Sequence, residues 1–186
     1  MDKTIFVIGG CRSGKSSHAL RLAESFSGRR KIFVATCVPQ DSEMRQRVHR
    51  HQQDRGPHWA TLEVPVELAE SIAKEGPHAD LMLIDCLTLW LSNMMLAYED
   101  QKPIDERIER LCAVLRDPPC PVVLVSNEVG AGIVPENSLA RRFRDIVGWT
   151  NQQVAAACRQ VIWMVAGLPV PIKPMAVNPG MDKQGN

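Results

Sequence analysis

Two glycines, a lysine and a serine at fixed spacing can hold a phosphate chain. This sequence carries them at Gly9-Gly10-Cys11-Arg12-Ser13-Gly14-Lys15-Ser16, followed by Ser17. The run fits G-x-x-x-x-G-K-[ST]. In such a loop, backbone N–H groups cradle phosphate oxygens, the lysine reaches the β- and γ-phosphates, and the hydroxyl holds Mg²⁺. On this pattern Lys15 neutralises phosphate charge and Ser16 is a metal ligand. Asp85 is the second candidate ligand. It follows Leu81-Met82-Leu83-Ile84 and so closes an apolar strand, where a phosphate-loop fold needs an acid for Mg²⁺. Capping the helix that starts at Leu87 is the other use of Asp85.

The loop implies a nucleoside triphosphate but not a reaction. A histidine could add nucleophilic chemistry, since a neutral imidazole attacks phosphorus. Residues 41–51 contain His49 and His51. On a helix Met44, Val48 and His51 share a face, and His49 lies roughly 200° away from His51. His51 is therefore the candidate to face a site beside the loop, and a structural role on the apolar stripe stays open. Arg47 and Arg50 could steady phosphate charge or remain solvated. The segment Val125 to Asn137 leaves a strand and enters a glycine-containing loop with Asn127 and Glu128, where substrate contacts or a plain connection would both fit. Arg141, Arg142 and Arg144 could bind phosphate or form a solvated face or subunit contact.

These residues need a scaffold, and the pattern supplies one. Thr4 to Ile8, Lys31 to Ala35, Leu81 to Asp85, Pro121 to Val125 and Val161 to Val165 read as buried strands, with a short strand at Thr61 to Val64. Helices are expected from Lys15 to Glu24, Asp41 or Ser42 to Gln53, Pro65 to Lys74, Leu87 to Ala97, Ile104 to Leu115 and Asn137 to Arg159. Alternation of this kind gives an α/β fold: a P-loop NTPase-like, mostly parallel sheet with helices on both faces. Residues 1–168 form a single domain on this reading, and a proline- and glycine-rich tail over 169–186 is expected to be poorly ordered.

Composition narrows the class further. The net charge of +1 argues against a broad basic surface for nucleic acid. Met1-Asp2-Lys3-Thr4 runs straight into the first strand, and no apolar run is long enough to span a bilayer. The expectation is a cytoplasmic protein without a signal peptide or membrane span. Six cysteines form no C-x-x-C pair, so reduced, scattered thiols are expected.

Taken in order, several blocks resemble the bifunctional adenosylcobinamide kinase / adenosylcobinamide-phosphate guanylyltransferase family of cobalamin biosynthesis. They are G-G-C-R-S-G-K-S at 9–16, V-A-T at 34–36, E-M-R-Q-R-V-H-R-H at 43–51 and W-x-T-x-E at Trp59, Thr61 and Glu63. The longest is S-N-E-V-G-A-G-I-V-P-E-N-S-L-A-R-R-F-R-D-I-V-G-W-T-N-Q at 126–152. The resemblance implies phosphorylation of adenosylcobinamide with ATP or GTP. It also implies transfer of GMP from GTP through a histidine–GMP intermediate, to give adenosylcobinamide-GDP. The nucleotidylated histidine of the family falls on His51. Ala35, Thr36, Cys37, Gln52, Gln53, Asp54, Arg55, Glu63 and Asp85 fall where members contact guanine nucleotide or metal, and a homotrimer is implied. A small-molecule kinase without the covalent step is the alternative. A regulatory GTPase is disfavoured, because the N-K-x-D guanine signature is absent.

Overall fold

Uniformly apolar runs become sheet and amphipathic runs become helix along this chain. The computed structural model describes residues 3–37 and 58–174. Its elements are β1 (Thr4–Gly9), α1 (Lys15–Ser25), β2 (Lys31–Ala35), β3 (Trp59–Glu63), α2 (Leu68–Glu75), β4 (Leu81–Asp85) and α3 (Leu87–Ala97). They continue with α4 (Lys102–Arg116), β5 (Val122–Asn127), α5 (Ser138–Ala157), β6 (Gln160–Val165) and β7 (Leu168–Lys173). The described strands form one sheet in the order β3-β2-β4-β5-β1-β6-β7. All neighbours are parallel except β6 and β7. The inner strands are apolar on both faces because helices cover both, as parallel sheets require.

Two cores result. On one face Phe6, Ile8, Val34, Ile84 and Leu124 meet Leu68 and Ile72 of α2, Trp90 and Met94 of α3, Ile108 and Leu111 of α4, and Ile146 and Val154 of α5. On the other, Val7, Leu83, Val123 and Val125 meet Ala19 and Ala23 of α1. The two alanines are fully buried and small, so α1 lies close against the strand row that ends at the phosphate loop.

Of the element boundaries that differ from the sequence expectation, three differ for a tertiary reason. β3 runs from Trp59 because it pairs with β2 from Lys31↔Trp59 through Ala35↔Glu63. α2 starts at Leu68 rather than at Pro65. The indole of Trp90 donates to the carbonyl of Val66 (2.6 Å) and Asn93 donates to that of Pro65 (3.1 Å), which keeps this stretch out of the helix. The third is a correction. Residues 169–173, placed in a poorly ordered tail by their prolines, join Leu168 in the antiparallel edge strand β7. Ala166 and Gly167 both have positive φ (50° and 83°), the geometry of a tight two-residue hairpin turn. Pro169 and Pro171 are tolerated because β7 is the outermost strand, where a missing N–H leaves no partner unpaired. Lys173 then donates to the carbonyls of Ala155 and Ala156 at the end of α5.

The helix expected over residues 41–53 lies outside the described residues. So do Arg47, His49, Arg50, His51, Gln52, Gln53, Asp54 and Arg55. Among the described residues no helix is long and apolar enough to cross a membrane.

Candidate active site

The loop between β1 and α1 is built from the backbone outward. A Cβ on Gly9 would stand 2.6 Å from both the Met164 carbonyl oxygen and the Ser13 hydroxyl, so only glycine fits. Arg12 (φ 54°) and Gly14 (φ 88°) then turn the chain into α1. The Ser13 amide donates to the Gly10 carbonyl (3.3 Å), and the Gly167 amide donates to the Ser13 carbonyl (3.2 Å), which ties the loop to the β6–β7 turn. Gly14 caps α1 without a side chain, and no acidic residue lies in the first turn. The first amides of α1 and its positive dipole end are therefore available to an anion. Lys15 folds over the loop and donates to the Gly10 carbonyl (3.1 Å). The Ser13 hydroxyl is buried without a hydrogen-bond partner, and the space beside Gly10 is open. Ser16 is half-buried, whereas Cys11, Arg12 and Ser17 are exposed.

The strand ends bring the next group together. Glu63, Ala35 and Asp85 stand in one row across β3, β2 and β4, and the row continues through Val125 to Val7. Side chains alternate along a strand. Phe33 and Ala35 pack in the α1-side core, as do Leu81 and Leu83. Asp85 and Glu63 are in phase with them and project toward the face that carries the phosphate loop. Asp85 is two strands from β1, roughly 10 Å at the usual strand spacing. The N-cap of α3 is Cys86, not Asp85. The donors in reach of this edge, the Ser16 hydroxyl and the Asp85 carboxylate, are hard oxygens of the kind Mg²⁺ takes. Among the described residues no group of three or more His, Cys, Asp or Glu gathers as a metal cluster. A cation here would complete its shell with phosphate and water oxygens, as Mg²⁺ commonly does.

Beside this row a polar network is buried. The Thr36 hydroxyl donates to the Cys86 carbonyl (2.8 Å) and accepts from the Cys86 amide (2.9 Å). The Cys86 thiol meets the Thr88 hydroxyl at 2.9 Å, and Asn127 donates to that hydroxyl (3.1 Å). Asn151 donates to the Asn127 carbonyl (3.1 Å) and accepts from the Ser126 hydroxyl (2.7 Å). Burial, followed by the Asp85 charge, pushes the Cys86 thiol up, so it stays protonated. Cys158 is likewise raised to about 12 and Cys120 to about 11 by burial. All six cysteines are free.

Several residues in the recognisable blocks turn out to hold the scaffold. Arg144 donates to the Gly130 carbonyl and Arg141 to those of Pro135 and Glu136, so both pin the loop after β5. Arg142 reaches the Glu99 carbonyl and Gln101. Asn137 caps α5 by accepting from the amides of Leu139 and Ala140. Trp59 donates to the Glu24 carboxylate (2.6 Å), which also receives Lys31 (2.9 Å), and so joins β3 and β2 to α1. That indole, then Lys31, holds the Glu24 carboxyl below the usual range. Glu24 and Asn151 escaped sequence reasoning. An acid on an exposed helix position and a polar residue inside a long helix carry no local signal of a partner distant in sequence.

A mostly parallel sheet with a phosphate loop between an inner strand and the following helix defines a P-loop NTPase-like protein. The fold matches the flagellar accessory protein FlaH from Methanocaldococcus jannaschii with a TM-score of 0.50. The match has 13% identity and covers 92% of this chain and 78% of that one. The sequence is more specific. The chain belongs to the cobinamide kinase / cobinamide phosphate guanyltransferase family, whose model matches residues 5–172. It is 43% identical over 167 residues to the bifunctional adenosylcobalamin biosynthesis protein CobP of Pseudomonas aeruginosa, covering 90% of this chain and 95% of that protein. It is 41% identical over 181 residues to the bifunctional adenosylcobalamin biosynthesis protein CobU of Escherichia coli K12, covering 91% and 99%.

Proposed function

We propose that this chain is a bifunctional cobinamide kinase and guanylyltransferase. In the first reaction the hydroxyl of the aminopropanol arm of adenosylcobinamide attacks the γ-phosphorus of ATP or GTP. The bond to the β-phosphate oxygen breaks, the hydroxyl proton leaves to solvent, and a nucleoside diphosphate departs. In the second, a nitrogen of His51 attacks the α-phosphorus of GTP and expels pyrophosphate. The new phosphate of the corrinoid then displaces histidine from GMP, and adenosylcobinamide-GDP forms. Similarity along nearly the whole chain, at 43% and 41% identity, to two relatives described as bifunctional is the observation that carries this reading.

The geometry supports it. Phosphoryl transfer needs mainly alignment and charge neutralisation. The amides of residues 10–17 and the Lys15 ammonium suit the triphosphate, with the uncapped start of α1 behind them. Mg²⁺, held by Ser16 and Asp85, would supply charge neutralisation between phosphates. Ala35, Cys37 and Glu63 would form the neighbouring wall toward the guanine nucleotide, with Thr36 buried behind them, and Gln52 to Arg55 are assigned to that wall from the resemblance. A protonated imidazole has no lone pair to offer, so GMP transfer should fall as the pH is lowered.

Self-association as a homotrimer belongs to the same reading. Trp163, Val165, Leu168, Val170 and Ile172 share one face of the β6–β7 hairpin, and each is at least 40% exposed. A contiguous apolar face of that kind marks a contact surface. A solution mass equal to that of a single 20.7 kDa chain would end the trimeric reading.

The decisive test uses α-labelled GTP and denatured protein. Label retained on His51 is expected, acid-labile and base-stable. His51→Ala should lose GMP transfer and keep the kinase. No label while kinase turnover continues would leave a small-molecule kinase without the covalent step.

A further inference from the structure

Thr36 occupies an unusual position for a residue beside a nucleotide site. It follows directly on β2, next to the Asp85 row, and is fully buried. Every hydrogen-bonding group it has is engaged within the protein. Its amide donates to the Asp85 carbonyl (3.3 Å). Its hydroxyl donates to the Cys86 carbonyl (2.8 Å) and accepts from the Cys86 amide (2.9 Å). Its carbonyl accepts from Asn93 of α3 (2.7 Å). A hydroxyl has a single proton to donate. Here that proton goes to Cys86, so the side chain has none for a nucleotide. Three of the four bonds end on Asp85 and Cys86, where β4 passes into α3.

We propose that Thr36 is a positioning residue that fixes Asp85 toward a metal-bound triphosphate, and that its side chain does not touch the nucleotide. The inference rests on the metal role given to Asp85 above. A carboxylate at a strand end keeps its direction only if the following peptide is held. The Thr36 hydroxyl holds the N–H of that peptide and the carbonyl of the next, and the Thr36 amide holds its C=O. Without the hydroxyl the buried Cys86 amide loses its acceptor, and the junction relaxes toward another partner. Small displacements of this kind are enough to weaken alignment at a reacting phosphate.

Equilibrium binding of a fluorescent GTP analogue to the full chain, with and without added Mg²⁺, tests this. Mg²⁺ should tighten binding to the unaltered protein, and Asp85→Asn should remove that tightening. Thr36→Val should leave metal-free affinity unchanged and reduce the tightening by about tenfold, within the usual range of coupling between two ligands. Thr36→Ser, which keeps the hydroxyl, should restore it. If Asp85→Asn keeps the full tightening, the metal role of Asp85 fails and this inference with it. If Asp85→Asn loses it while Thr36→Val does not, Thr36 positions nothing. If Thr36→Val loses metal-free affinity instead, Thr36 contacts the nucleotide and the inference is overturned. Should Thr36→Val not fold by circular dichroism, Thr36→Cys takes its place under the same criteria.

Discussion

Two halves of the sheet's carboxyl edge are built in opposite ways. Around β1 the chain reserves its donors: α1 starts without a side-chain cap, and Lys15 rests on a carbonyl of its own loop. Around β4 and β5 the donors are spent, with Thr36, Thr88, Asn127 and Asn151 satisfying one another or the main chain. The first half is organised to receive charge from outside, the second to hold strand ends still. Removing a group from the first should therefore cost function at little cost in stability. Removing one from the second should cost stability first, Thr36 alone also weakening the metal-linked binding through Asp85.

The largest expected effect lies in the reserved half. Lys15→Ala removes the one loop ammonium and should lower both nucleotide-dependent reactions by on the order of 10²–10³-fold, as the loss of a preorganised charge donor does. Its melting temperature should stay near that of the unaltered protein, and normal turnover of both reactions would erase the contrast. In the saturated half, Asn151→Leu strands the fully buried Ser126 hydroxyl and the Asn127 carbonyl. It should cost about 1–3 kcal/mol in chemical denaturation, while the folded protein still binds GTP.

Smallest is Glu24→Gln, at the seam where α1 meets β2 and β3. Glu24 is half-exposed on its side chain, so screening keeps the loss under about 1 kcal/mol at neutral pH. Its carboxyl is held down by Trp59 first and Lys31 second. The stability it adds is present above the ordinary carboxylate range and disappears as the pH falls through its lowered value. Glu24→Gln should flatten that acid limb of a stability profile, and an unchanged limb would show that the carboxylate charge is idle there.

Much of this was readable in the sequence, because the cradle is local. Strand, loop and helix are contiguous from Thr4 to Ser25, and the spacing of Gly9, Gly14 and Lys15 is itself the geometry. The apolar runs ending in Ala35 and Asp85 likewise announce strand ends. What stayed hidden joins residues far apart in the chain. Thr36 finds Cys86 fifty residues on, and Trp59 finds Glu24 across the sheet edge. Prolines concealed β7, since their cost vanishes only once the strand lies outermost. The arginines of the long block read as possible phosphate ligands, yet Arg141 and Arg144 are committed to loop carbonyls.

The central claim is that one imidazole carries GMP between GTP and the corrinoid phosphate. Mass spectrometry of peptides from enzyme trapped with GTP and Mg²⁺ tests it most directly. The account predicts a single GMP adduct on His51. An adduct on His49 or His18 instead, or none while adenosylcobinamide-GDP is still produced, would contradict it.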